Sequence, residues 1–148
     1  MLYLDTSLVV ALITREARTD LAQAWLQEQA SGETVISDWV AVEVSSALSV
    51  KERTGDLNET DRARAERSFR RLTREVFEVI PVPRVAYASA ATFAARSELS
   101  LRAGDALHLA ISAERQARLC TVDPRQAAAG GQLGLGSVLL FSGTNPLG

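Results

Sequence analysis

Residues 2–7 read LYLDTS, and the fold turns on that stretch. Leu2, Tyr3 and Leu4 form a short apolar, β-compatible run. Asp5, Thr6 and Ser7 follow, with the short polar side chains that suit a turn and a helix N-cap. The stretch predicts a strand that feeds a helix. Outward from it, residues 8–14 and 18–30 read as two helical pieces. The second carries Leu21, Trp25 and Leu26 on one face before Gly32 breaks the pattern.

A second strand is expected at Thr34 to Ile36. Ser37 and Asp38 can cap a helix to about Arg53, in which Val40, Val44, Ala47 and Leu48 recur at helical spacing before Gly55 closes it. Further helices are expected at about 58–75, at Val85 to Glu98 and from Asp105 to about Ala117. Strands are expected at Val76 to Val82, Leu119 to Val122 and Ser137 to Phe141. Strands alternating with helices predict an α/β chain, a parallel sheet covered on both faces. The whole reads as one domain over 1–141, with a glycine-, asparagine- and proline-bearing tail, 142–148, expected to fray.

With 148 residues and 47% hydrophobic side chains, a chain of this size buries a core without staples. The single cysteine, Cys120, excludes an internal disulfide and reads as a packed strand thiol, which fits a reducing cytoplasm. No apolar stretch approaches the roughly 20 residues needed to span a bilayer, and no signal segment opens the chain; a soluble protein is expected. A net charge of −2 gives no global attraction to nucleic acid, so a polyanion would have to be held by local basic groups and metal ions.

Asp5 and Asp123 each follow an apolar strand, where open parallel sheets bind ligands. Asp105 opens a helix in RAGDALHLA, and Glu43 is a charge set among valines in WVAVEVSSAL. Two carboxylates about 4 Å apart repel by roughly 4 kcal/mol at an effective dielectric near 20, and a divalent cation relieves that. Oxygen ligands without a histidine or cysteine cluster favour Mg²⁺ or Mn²⁺, ions that polarise a phosphate and acidify bound water for phosphodiester hydrolysis. Singly, each acid also fits a plainer role. Asp5 and Asp123 suit turns or caps, Asp105 an N-cap, and Glu43 a partner for a nearby arginine. Their combination is what points to a metal pocket.

The order LYLDTS, ISDWVAVEVSSAL, RAGDALHLA, LCTVD resembles the PIN-domain pattern across nearly the whole chain, and GDALHLA followed by TVD is its more specific part. The size, without extra domains, is similar to VapC-type toxins. The resemblance implies a three-layer α/β/α fold with a five-stranded parallel sheet, and Asp5, Glu43, Asp105 and Asp123 as acids holding Mg²⁺ or Mn²⁺. It places Thr6 and Ser7 at the hydroxyl position beside the first aspartate, where they orient water or phosphate. It implies a metal-dependent endoribonuclease acting on tRNA or rRNA, a toxin neutralised by a cognate antitoxin, and a homodimer. The stretch PRQAAAGGQLGL after Asp123 has no further acid, a departure from the family pattern that puts a fifth carboxylate ligand from that loop in doubt.

Other features carry less. His108, one turn after Asp105, reads as a packed, hydrogen-bonded histidine. Six arginines between Arg62 and Arg74 read as a solvated face laced with Glu66 and Glu75, with phosphate or antitoxin contact the sharper alternative. Arg102 is better placed for a substrate phosphate. Trp25 and Trp39 fall in apolar helical patterns, and no nucleotide-binding glycine motif is complete. A phosphotransfer domain is disfavoured because Asp5-Thr6-Ser7 lacks a second aspartate. A catalytically inactive PIN-fold module that binds RNA or protein is the alternative to the enzyme.

Overall fold

The computed structural model describes residues 1–141; the expected frayed tail, 142–148, lies outside them. The chain falls into two compact units, Met1–Val82 and Pro83–Gly148. The first holds β1 (Leu2–Leu4), α1 (Thr6–Ile13), α2 (Thr19–Gln27), β2 (Thr34–Ser37), α3 (Asp38–Arg53), α4 (Glu59–Glu75) and β3 (Glu78–Ile80). The second holds α5 (Arg84–Ala94), a 3-10 turn (Ser97–Leu99), α6 (Ala103–Glu114), β4 (Arg118–Thr121), α7 (Pro124–Gln132) and β5 (Ser137–Leu139). The five strands run in the order β3-β2-β1-β4-β5 in a parallel sheet, the α/β class expected from sequence. No helix among the described residues is long and apolar enough to cross a membrane.

In the first unit, Leu2 and Tyr3 pair with Thr34 and Val35, and β2 continues the ladder to β3 from Val35↔Glu78 to Ser37↔Ile80. Leu4, Leu8, Val9, Ile36, Val40 and Leu48 are buried, the apolar positions the strand-helix pattern assigns inward. Gly55, at φ +82°, takes the left-handed conformation that ends α3. Ser37 is the N-cap of α3 as expected, yet its hydroxyl makes no capping bond and pairs instead with the Tyr3 phenol at 2.8 Å.

On α2 the expected stripe is rotated. Thr19 and Ala22 are its buried residues, Trp25 and Leu26 are half-buried and Leu21 is 54% exposed, while Gln23 Nε2 donates to the Leu12 carbonyl at 3.1 Å. The third strand is shorter than expected, since Val76 stays with α4 as its C-cap, donating to Leu72.

In the second unit, β4 pairs with β5 from Leu119↔Ser137 to Thr121↔Leu139, and α6 buries Ala106 through Ser112 almost continuously. The helix expected to run to Glu98 ends at Ala94. Arg96 is extended and a separate 3-10 turn buries Leu99.

The stretch read as a loop after Asp123 is a helix. Asp123 caps α7 and Pro124 occupies its first position, where no amide donor is needed. Gly130 obscures that helix in the sequence for a packing reason. A Cβ there would sit 2.9 Å from both Cβ and Oγ of Ser137 and 3.2 Å from the Leu109 side chain, so only glycine lets α7 lie this close to β5 and α6.

Candidate functional site

Asp5 leaves β1 as the N-cap of α1 and is only 2% exposed. Its Oδ1 accepts from the Leu8 amide at 3.0 Å, and the Ser7 hydroxyl lies 2.9 and 2.8 Å from its two oxygens. The neighbouring hydroxyl serves the other acid: Thr6 Oγ1 donates to Glu43 Oε2 on α3 at 2.5 Å. Consecutive residues of DTS therefore clasp two carboxylates from two elements. Charge-assisted bonds of this kind direct a carboxylate's oxygens without neutralising it.

Tyr3, two residues before Asp5, is fully buried and bonded to Ser37. Burial raises its phenol well above the ordinary value; the Ser37 bond opposes the rise, and the charges of Asp5 and Glu43 add to it.

In the second unit, Asp105 occupies the first turn of α6, three residues after the N-cap Arg102, where the amide ends of the helix favour negative charge. Asp123 is the N-cap of α7. Its Oδ1 accepts from the Arg125 amide at 2.8 Å, its own amide donates to Thr121 Oγ1 at 2.9 Å, and the Arg125 guanidinium lies 3.7 Å from Oδ2. Gln126, 2% exposed, joins the two elements. Thr121 Oγ1 donates to its Oε1 at 3.3 Å, and its Nε2 donates to the Asp105 carbonyl at 3.5 Å.

The plainer cap reading is thus realised for Asp5 and Asp123. For Asp105 it is replaced by a first-turn position, and Glu43 takes a hydroxyl partner. Among the described residues no group of three or more histidine, cysteine, aspartate or glutamate side chains stands ready to hold a metal. The donor set is nonetheless all oxygen, carboxylates with hydroxyls beside them, which suits a hard cation such as Mg²⁺ or Mn²⁺.

Arg102 is exposed and makes no ion pair among the described residues. His108 is buried on α6, as expected of a packed histidine. On α4, Arg62 pairs with Glu52 and Glu66, Arg64 with Asp61 and Arg74 with Glu75, the laced surface the composition predicted. Sequence reading passed over Tyr3, Thr121 and Gln126. Only Gln126 had a usable signal, a glutamine three residues after a capping aspartate.

The sequence profile of the PIN domain matches residues 2–132. Comparison with curated protein sequences gives no significant match. Among solved structures, the chain resembles the VapC20 toxin of Mycobacterium tuberculosis, described as cleaving the sarcin-ricin loop. The TM-score is 0.68 and the identity 20%, over 88% of this chain and 95% of that one. It also resembles a chain of a toxin–antitoxin complex from Klebsiella pneumoniae (0.64, 18%, 93% and 96%). A third likeness is to VapBC2 of Rickettsia felis bound to a promoter DNA fragment (0.62, 16%, 94% and 98%). At these identities the likeness is one of fold.

Proposed function

Because the chain belongs to the PIN-domain family, we propose that it is a metal-dependent endoribonuclease, the toxin of a toxin–antitoxin pair, with Asp5, Glu43, Asp105 and Asp123 together holding Mg²⁺ or Mn²⁺. The observation that carries this reading is the double clasp of the DTS segment, Ser7 on Asp5 and Thr6 on Glu43. Hydroxyls that aim carboxylates are what a cation site needs and what an ordinary helix cap does not. Bound there, a divalent cation supplies neutralisation of phosphate charge and a water acidic enough to attack.

The chain's own residues do the rest. The Leu8 amide and Ser7 fix Asp5, Thr6 fixes Glu43, and the first turn of α6 holds the Asp105 carboxylate in a favourable field. Arg102, exposed at the N-cap of that helix, is the residue proposed to take a substrate phosphate. The neighbours' descriptions as toxins and toxin–antitoxin complexes support the toxin role and an antitoxin partner. The family resemblance adds tRNA or rRNA as target, a homodimer and a cytoplasmic setting, and sedimentation tests the dimer.

The reading is tested by incubating purified protein with total RNA in Mg²⁺, Mn²⁺ or EDTA, beside folded Asp5→Asn. Discrete cuts that need the metal and vanish in the variant are expected. Antitoxin-free, metal-loaded protein that cuts nothing would favour the inactive binding module.

A further inference from the structure

A glutamine at the third position of a helix ordinarily reaches back to the amide of its own N-cap. At α7 that amide, Asp123 N, is already taken by Thr121 Oγ1 at 2.9 Å. Gln126 therefore turns inward. Its Oε1 accepts from Thr121 at 3.3 Å and its Nε2 donates to the Asp105 carbonyl at 3.5 Å, with 2% of the residue exposed. The partners dictate which way the amide faces, since a backbone carbonyl only accepts and Gln126 has one donor end. A buried amide costs free energy unless its bonds are made, so its place here calls for a reason. Through Thr121, the side chain ties the segment carrying Asp123 to the helix turn carrying Asp105.

Resting on the metal-dependent reading above, we propose that Gln126 is a positioning residue that sets the spacing of Asp105 and Asp123 for a shared divalent cation. It touches neither carboxylate and acts on the backbone that presents them. Its two bonds, at 3.3 and 3.5 Å, span the 21 positions between Asp105 and Gln126 and join the two segments through side chain and backbone.

The test is Mn²⁺ titration of the full chain by electron paramagnetic resonance. Gln126→Met and Gln126→Leu both fill the space without a side-chain donor for the Asp105 carbonyl. Both are expected to bind Mn²⁺ about 10- to 100-fold more weakly at unchanged stoichiometry, with wild-type circular dichroism. Unchanged affinity in folded variants overturns the proposal alone, whereas a wild type that binds no Mn²⁺ removes the cation reading and the proposal with it. A variant-free measurement covers the case of misfolding. In ¹⁵N-labelled wild type, the Gln126 side-chain amide signals are expected to move along the Mg²⁺ binding curve; signals that stay still while the Asp105 and Asp123 amides shift overturn the inference.

Discussion

The two units present their acids in opposite ways. In the first, side chains from adjacent residues do the holding: Ser7 and Thr6 reach Asp5 and Glu43 within 2.5–2.9 Å. In the second, helix starts do it. Asp105 sits in the first turn of α6, Asp123 caps α7, and the tie between them runs through a single amide at 3.3 and 3.5 Å. One pair is fixed by short local bonds and the other by backbone geometry with a slack connection. The difference makes the two pairs separable by mutation.

The largest expected effect falls on both pairs alike. Asp5→Asn and Asp105→Asn lower RNA cleavage at least about a hundredfold. Asparagine still caps α1 through the Leu8 amide, so the melting temperature of the Asp5 variant stays near that of wild type. Loss of activity together with loss of fold would break the assignment. Next, Ser7→Ala leaves Asp5 its backbone donor but not its hydroxyl, and Mn²⁺ affinity is expected to fall about tenfold or more by calorimetry. An unchanged affinity would mean that the first pair is organised by backbone as well, and the contrast between the units would disappear.

Smaller effects bear on the scaffolds beneath each pair. Gly130→Ala pushes a methyl against Ser137 and Leu109 and is expected to cost about 1–3 kcal/mol in urea unfolding. If it is neutral or stabilising, the close approach of α7 is not what selects glycine there. Tyr3→Phe removes the bond to Ser37 and is expected to cost about 1 kcal/mol near neutral pH.

Tyr3 also carries a pH signature. The folded protein keeps the phenol neutral above its ordinary value of 10.0, while the unfolded chain ionises there. Tyr3's contribution is therefore intact below pH 10.0 and declines above it. Alkaline unfolding of wild type and Tyr3→Phe measures this; identical alkaline loss in both would remove Tyr3 as its source.

The first unit was the more legible in the sequence, for a physical reason. LYLDTS places strand, cap and both clasping hydroxyls within six consecutive residues, and local chemistry of that kind is written in order along the chain. What escaped depended on packing. Leu21 fits the apolar pattern of α2 yet is exposed, because the helix buries the face carrying Thr19 and Ala22 instead. Helix α7 was hidden by Gly130, a residue that ordinarily breaks helices and is retained here for the room it leaves Ser137. Gln126 belonged to a stretch read as a loop, and its partner at Asp105 lies 21 positions away. Asp105 and Asp123 themselves were visible as acids at element starts, while their tie was not.

The central proposal is that Asp5, Glu43, Asp105 and Asp123 serve to hold a divalent cation. Mn²⁺ binding to wild type, Asp5→Asn and Asp105→Asn, followed by electron paramagnetic resonance, tests it most directly. A single class of site lost in either variant is the result predicted. Binding that survives Asp5→Asn at the level of the second unit, or Asp105→Asn at the level of the first, would show two independent pairs and contradict the account.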